Sequence, residues 1–195
     1  MQSTMMMAQM LNANQATAAA TAPAIPLAPP TAHTYQTVPR APPACPPPPT
    51  LAPDLNKMIE ACKEKLELDS KFEPYVYPAS QANAAVVKPE DGRVFLLFSS
   101  QLLEMFDEGE LTYVVGHELG HHKFGHHGLP VRAVLKGAKV RHATALQLFS
   151  WSRFAEVSAD RAGLYCAGSI DAVGRGLFKL ASGLRGTKTN LAVDA

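Results

Sequence analysis

The order of apolar and polar residues predicts a domain that combines helices with a small β-sheet. In the first periodic segment, apolar residues recur at helical spacing while charged residues occupy the other faces: Leu55, Met58, Ile59, Cys62 and Leu66. Two strands are predicted at 84–87 and 93–98, and residues 88–92 between them have the composition of a hairpin turn. A shorter extended piece is predicted at 75–77, between two prolines. The pattern therefore predicts an α+β fold.

The second of these strands is continuously apolar rather than alternating, from Val94 through Phe95 and Leu96 to Phe98. Such a strand is typical of a position buried on both faces of a sheet. The alternative is an edge strand that pairs with an extended peptide substrate by β-augmentation. The two interpretations are compatible. In the second one, Val94, Phe95 and Leu96 are candidate substrate-binding residues.

The rest of the chain is predicted to be mainly helical. Ser99 or Ser100 can cap a short helix. Asp107 followed by Glu110 is a reciprocal capping pattern that starts a longer helix. Three further helices are predicted, at 129–150, 151–167 and 171–181.

The longer helix carries the pattern H-E-x-x-H, which is the strongest chemical signal in the chain. His117 and His121 are one turn apart, so both imidazoles leave the same helix face, roughly 6 Å apart at Cβ. Both can therefore bind one zinc ion at about 2.0–2.1 Å, and Glu118 beside them can take a proton from the attacking water. This pattern is the zincin signature. It predicts a zinc-dependent hydrolase with Glu118 as general base.

A surface helix that happens to carry two histidines and a glutamate is the plainer interpretation of these residues. Gly116 and Gly120 argue against it, because each glycine costs a helix about 1 kcal/mol relative to alanine. A site that needs close approach of the backbone would explain both glycines.

A third zinc ligand is predicted on a later helix. Glu156 and Asp160 lie four residues apart and share one helix face, where two carboxylates repel one another unless a cation compensates. Glu156 would complete three protein ligands and leave a fourth position for water, which is the catalytic arrangement of zinc. His127, six residues after His121, competes for this role, although Phe124 stands where the metzincin pattern has a glycine. The remaining histidines are predicted to be solvated or capping residues: His33, His122, His126 and His142.

Residues 1–53 differ in composition from the rest of the chain. Twelve of the 16 prolines fall here, and Arg40 is the only charged residue of the segment. Such a segment buries too little apolar surface to offset its ordering entropy, so we predict a disordered arm at 1–53 and a folded domain at 54–195. The apolar stretch near the start lacks the preceding positive charge of a secretion signal. A proline-rich ligand for an SH3-like partner is an alternative role for the arm, and a plain linker is the commoner one.

The formal net charge of the 195 residues is +1, which gives no support to a nucleic-acid partner. There is no run of 18 apolar residues, so no transmembrane segment is predicted. Three scattered cysteines do not form a disulfide framework, and without an export signal we predict a cytoplasmic location. Residues 129–150 are basic without an acidic residue. A solvated face is the default interpretation, and peripheral contact with anionic lipid or an acidic substrate is the alternative.

Four sequence motifs resemble those of the M48 peptidases and follow the same order along the chain. They are Asn83-Ala84, Gly92-Arg93-Val94-Phe95, Gly116-His117-Glu118-Leu119-Gly120-His121 and Glu156-Val157-Ser158-Ala159-Asp160-Arg161. These peptidases are gluzincins that include the membrane CAAX prenyl endopeptidases and bacterial HtpX-like enzymes. The resemblance covers residues 55–182.

The resemblance implies a zincin-like fold and one Zn²⁺ per chain, held by His117, His121 and Glu156. Glu118 would be the general base, and Asp160 would orient a zinc-bound histidine. The implied reaction is hydrolysis of a peptide bond within an extended polypeptide. Membrane members of the family carry transmembrane helices around the motif. This chain is basic at 129–150 instead, so it is more similar to the soluble or peripheral members.

Two other functions remain open at this point. A zinc-binding regulatory module would keep the fold without turnover, although the intact Glu118 argues against it, since a silent site needs no base. An adapter would act through the proline-rich arm. It predicts that deletion of residues 1–53 abolishes the cellular role while cleavage of casein is unchanged.

Overall fold

The computed structural model describes residues 46, 52–87, 93–137 and 140–184. Nearly all of the predicted arm lies outside these ranges, so its disorder stays a prediction. The elements in chain order are α1 (Ala52–Lys65), β1 (Phe72–Tyr77), β2 (Ala84–Val87), β3 (Val94–Ser99), α2 (Ser100–Met105), α3 (Glu108–Lys123), a 3₁₀ turn (His126–Gly128), α4 (Val131–Gly137), α5 (His142–Ala167) and α6 (Ile170–Ser182). The predicted mixture of helices with a small sheet is confirmed.

The three strands form one mixed sheet in the order β1-β3-β2. β1 is parallel to β3, and β2 is antiparallel to it, with Ala84 opposite Phe98 and Val87 opposite Phe95. The antiparallel pair agrees with the predicted hairpin, whose turn at 88–92 lies outside the described residues. β2 is therefore one edge of the sheet, and β3 is its middle strand.

The alternative in which Val94, Phe95 and Leu96 lie on an edge strand is wrong. β3 uses its backbone on both sides, toward β1 and toward β2, so it has no free edge for a peptide. The alternating exposure explains its apolar composition: Val94 and Leu96 are buried on one face, while Phe95 is half-buried on the other. A middle strand of a covered sheet has this pattern.

Helix α3 lies at the centre of the fold, where it packs against α1, α5, α6 and β2. Its apolar side chains face several directions, as a helix covered on most sides requires. The buried ones are Leu111, Tyr113, Val114, Val115 and Leu119. α1 contributes Leu55, Ile59 and Cys62 to the same core, and Leu66 joins them directly after the helix, as the periodicity predicted.

A capping box starts α3 at the predicted residue. The Asp107 side chain accepts the N–H of Glu110 at 2.9 Å, and Glu110 accepts the N–H of Asp107 at 2.9 Å. The Glu110 carboxylate is fully buried and also binds Lys179 Nζ at 2.6 Å and Arg175 Nε at 3.2 Å. These contacts fasten α6 to the start of the central helix.

Helices α3 and α5 cross with little space between their backbones. A Cβ at Gly116 would lie 2.6 Å from the Cβ of Cys166, and a Cβ at Gly120 would lie 2.7 Å from the Cβ of Ala162. Neither distance is sterically possible, so both positions require glycine at this crossing. The expected close approach of the backbone is confirmed.

The predicted helix boundary between 150 and 151 is wrong. A single helix, α5, runs from His142 to Ala167 and ends at Gly168, which has a φ of 66°. The chain offers no glycine or proline near 150 to stop a helix, whereas α4 ends at Gly137, a poor helix former. Within the described residues, Cys62 and Cys166 are buried free thiols. None of the described helices is long and apolar enough to span a membrane.

We expect Lys179→Met to lower the free energy of unfolding by about 3 kcal/mol, because it leaves the Glu110 carboxylate buried without its closest cation. Urea denaturation of the two proteins measures the difference. Arg175→Met is the matched control on the same helix. The Arg175 side chain is 34% exposed, and its loss should cost at most about 1 kcal/mol. Equal costs for the two variants would contradict this account of Glu110.

Candidate metal centre

Three side chains from two helices converge on one point. His117 and His121 extend from α3 with their Nε2 atoms 3.0 Å apart. Glu156 extends from α5, and its Oε2 lies 3.6 Å from His117 Nε2 and 3.8 Å from His121 Nε2. Among the described residues, this is the group of three or more histidine, cysteine or acidic side chains that could hold a metal ion.

The arrangement fits a tetrahedral zinc ion. Ligands bonded at 2.0–2.1 Å to a tetrahedral zinc lie roughly 3.3–3.4 Å apart, and each observed distance is within about 0.5 Å of that value. Two imidazole nitrogens with one carboxylate oxygen form a donor set that suits zinc. Three protein ligands leave the fourth position available for water, as in catalytic rather than structural sites.

The Asp160 carboxylate fixes the ring of His117. Asp160 Oδ1 lies 2.9 Å from His117 Nδ1 and accepts the hydroxyl hydrogen of Tyr113 at 2.7 Å. Burial by itself would lower the pKa of His117. The hydrogen bond to Asp160 and the charges of Glu118, Asp160 and Glu156 outweigh burial and raise it above 6.5. Because an ionised carboxylate can only accept, Nδ1 of His117 is the donor to Asp160, and in a neutral ring the lone pair of Nε2 is then left for a cation.

Tyr113 holds the other side of this carboxylate. The residue is buried, and burial followed by the hydrogen bond to Asp160 raises the pKa of its hydroxyl. The hydroxyl therefore stays protonated and remains a donor. Two donors on successive turns of α3, the Tyr113 hydroxyl and His117 Nδ1, therefore stabilise the negative charge of Asp160.

His126 and His122, which the sequence predicted to be solvated or capping residues, each have a side-chain partner instead. Gly125 takes a φ of 66° and turns the chain, so that His126 Nδ1 lies 2.9 Å from His121 Nδ1. Burial, followed by the charge of His121, lowers the pKa of His126 to about 4. His122 Nε2 lies 3.0 Å from Ser70 Oγ, where it supports the loop before β1.

The same turn shows why His127 is a poor third ligand. Phe124 stands where the metzincin pattern has a glycine, and the chain turns one residue later, at Gly125. It brings His126 rather than His127 against His121. The ring of His127 lies 6.0 Å from that of His121, centroid to centroid, and His127 is outside the metal-binding group.

Glu118 lies between the histidine pair and the edge of the sheet. Its Oε2 accepts the backbone N–H of Val86 at 2.9 Å. This contact joins the metal helix to β2 and holds the carboxylate beside the metal-binding atoms. The charge of Glu118 also acts on His117, where it helps to raise the pKa of that imidazole.

Sequence reasoning missed three residues that support the site: Tyr113, His126 and Ser158. Tyr113 is four residues before His117, so its position on the same helix face was available from spacing. His126 depends on the turn at Gly125, and Ser158 on the rotation of α5. Neither could be derived from a local pattern.

A helix with H-E-x-x-H and a glutamate from a second helix are the arrangement expected of a metallopeptidase. The family model described as peptidase family M48 matches residues 49–149, a little over half of the chain. The chain therefore belongs to peptidase family M48. The matched region includes His117, Glu118 and His121 but ends before Glu156.

A curated relative supports the same assignment. The plastoglobule-localized metallopeptidase 48, chloroplastic, of Arabidopsis thaliana is 30% identical to this chain over 152 residues. The alignment covers 73% of this chain and 44% of the relative. The chain thus spans less than half the length of the curated relative that it matches.

We expect Glu156→Ala to abolish zinc binding, because two histidines alone hold zinc weakly. Asp160→Ala should weaken the zinc affinity about 10–100-fold, since His117 loses its orienting acceptor. His127→Ala is the control and should have little effect. Chelator competition gives the three dissociation constants. Loss of zinc in His127→Ala with zinc retained in Glu156→Ala would refute this set of ligands.

Proposed function

We propose that the protein is a zinc-dependent endopeptidase that hydrolyses peptide bonds within extended polypeptides. His117, His121 and Glu156 would hold one Zn²⁺ per chain, and Glu118 would be the general base. The observation that carries this proposal is the convergence of two imidazole nitrogens and one carboxylate oxygen with Glu118 beside them. Membership of a peptidase family supports the same reaction.

The metal and the protein side chains would have separate roles in the reaction. When bound, zinc supplies Lewis acidity, which polarises the scissile carbonyl and makes water a stronger nucleophile. Glu118 accepts the proton of the attacking water and delivers it to the leaving amine, a role worth about 10²–10⁴ in rate. Asp160 and Tyr113 keep His117 oriented throughout. The Val86 N–H holds Glu118 in place before the substrate arrives.

The substrate would pair with β2 instead of β3. Backbone groups of a strand alternate in direction, and Asn83 O accepts Ser99 N–H at 2.9 Å on the β3 side. Val86 N–H faces the opposite side, toward Glu118. By the same alternation, the N–H and C=O of Ala84 face that side too. An extended peptide could bond to this edge with its scissile bond near Glu118.

The two competing functions differ in how they relate to the described residues. A silent zinc module would have no use for a carboxylate held beside the metal ligands by Val86, so the geometry favours catalysis over it. An adapter would act through the arm at 1–53, nearly all of which lies outside the described residues. The adapter predicts that deletion of residues 1–53 abolishes the cellular role while casein cleavage is unchanged, and a retained cellular role would rule it out.

Location and membrane contact also belong to the proposal. We retain the cytoplasmic prediction, although the relative's own location, a chloroplast plastoglobule, is a competing one. Peripheral contact with anionic lipid is supported by exposed apolar side chains on α5, at Leu146, Phe149 and Phe154, near the basic Arg153. Co-sedimentation with anionic vesicles tests this contact, and absence of binding would exclude it.

We expect Glu118→Gln to reduce proteolysis at least about 10²-fold while zinc stays near one per chain, because a base and not a ligand is lost. Casein cleavage and metal analysis on the same sample measure both quantities. Glu108→Gln, an exposed change at the start of the same helix, is the control and should leave both unchanged. Loss of zinc from Glu118→Gln would mean that Glu118 is a ligand.

We expect Ala84→Pro to raise the KM for peptide substrates about 3–10-fold, because proline removes one outward N–H from the edge of β2. An edge strand tolerates proline where its N–H points away from the sheet. Ala84→Ser keeps the N–H and is the matched control. Zinc content should be normal in both. Equal KM values would show that substrate does not pair with this edge.

A further inference from the structure

We propose that His126, as a neutral imidazole protonated on Nε2, positions the ring of His121. It would accept a hydrogen bond from His121 and transmit the constraint through Ser158 to the backbone of α5. This proposal rests on the proposed zinc site, because it assigns the hydrogen-bonding partner of one zinc ligand. Nothing in the H-E-x-x-H pattern requires a histidine at this position.

The proton positions follow from the need of a metal for a lone pair. If Nε2 of His121 binds the cation, a neutral His121 must carry its proton on Nδ1. That Nδ1 lies 2.9 Å from Nδ1 of His126. Because two N–H groups cannot face each other at that distance, His126 must offer a lone pair there. A neutral His126 is then protonated on Nε2.

The remaining contacts accept this arrangement without an unpaired donor. His126 Nε2 lies 3.2 Å from Ser158 Oγ, which can accept its proton. Ser158 Oγ in turn lies 3.0 Å from the carbonyl oxygen of Phe154 and 2.9 Å from that of Ala155, so its hydroxyl has an acceptor within its own helix. The donors therefore all point the same way, from His121 toward the backbone of α5.

If the hydrogen bonds ran in the opposite direction, from Ser158 through His126 to His121, then His121 could not bind the metal through Nε2. If Ser158 donated to Nε2 of His126, the proton of a neutral His126 would move to Nδ1 and point at His121. His121 would then have to accept on Nδ1 and carry its own proton on Nε2, where the metal lone pair is needed. Donation from His121 to His126 and from His126 to Ser158, as proposed, is therefore the direction compatible with zinc binding at Nε2 of His121.

His126 is held in place by residues from both ligand-bearing segments. The turn at Gly125 folds it back over the end of α3, and the Trp151 ring meets it edge-on, with centroids 6.0 Å apart. Ser158 is two residues after Glu156 on α5. A displacement of α5 would therefore disturb the third ligand and the support of His121 together.

The two zinc histidines would have different partners. His117 donates to the Asp160 carboxylate, whereas His121 would donate to an uncharged ring. A neutral acceptor orients the ligand as a carboxylate does. It adds no further negative charge to a site that already contains Glu118, Glu156 and Asp160.

The first test measures the zinc dissociation constant by chelator competition. His126→Phe keeps the aromatic bulk against Trp151 but removes the acceptor, and it should weaken zinc binding about 10–100-fold. His126→Asn places a side-chain oxygen near the former Nδ1 and should recover the affinity to within about 3-fold of the native protein, a difference no larger than one weak hydrogen bond. His127→Phe is the matched control and should bind zinc normally. Rescue by asparagine separates hydrogen bonding from loss of packing.

The second test reads the proton positions directly in the native protein and so does not depend on any variant folding. Long-range ¹H–¹⁵N NMR correlations of the zinc-loaded protein should show His126 neutral with its proton on Nε2, and His121 with its proton on Nδ1. A proton on Nδ1 of His126 would overturn the proposal. So would native zinc affinity in His126→Phe. If the native protein binds no zinc, the proposed function itself fails, which is a different result.

Discussion

The close crossing of α3 and α5 is the constraint on which the rest of the site depends. Gly116 and Gly120 expose bare backbone on one helix, and Ala159, Ala162 and Gly163 present small surfaces on the other. The two glycines cost helical stability, about 1 kcal/mol each. In return, the helix axes come close enough for Glu156 to reach two histidines that project from its neighbour. Larger residues would separate the helices and move Glu156 away from the two histidines.

The crossing also explains the charge arrangement around the site. Three carboxylates, Glu118, Glu156 and Asp160, surround His117 closely enough to raise its pKa despite burial. Such a concentration of negative charge in a partly buried space is unfavourable unless a cation offsets it. The proposed roles of Glu156 as ligand, Glu118 as base and Asp160 as orienting partner of a bound cation would account for this concentration of charge. The buried Glu110 has a different role, since Lys179 and Arg175 already neutralise it.

Local patterns predicted most of what is local in this protein. The capping residues of α3, the apolar face of α1 and the antiparallel pairing of β2 with β3 depend on residues close together in sequence, and all were predicted. The strand order could not be predicted, because β3 has the same apolar composition whether it lies at an edge or in the middle of a small sheet. The role of His126 was missed for a similar reason. It depends on a positive φ at Gly125 and on a serine 32 residues away on another helix.

The metal group shows the same division between local and long-range information. His117, Glu118 and His121 follow from a five-residue pattern, whereas Glu156 could be proposed only because a second carboxylate, Asp160, shared its helix face. The family match ends at residue 149, so the geometry of α5 is the main support for Glu156. Residues of α5 hold both histidines. Asp160 contacts His117 directly, and Ser158 contacts His126, which in turn contacts His121.

The most direct test of the central claim is the anomalous diffraction of zinc-loaded crystals measured at the zinc absorption edge. The account predicts one strong peak at about 2.0–2.2 Å from Nε2 of His117, Nε2 of His121 and a carboxylate oxygen of Glu156, with Nδ1 of each histidine turned away. A peak coordinated by His126 or His127 in place of Glu156 would contradict it.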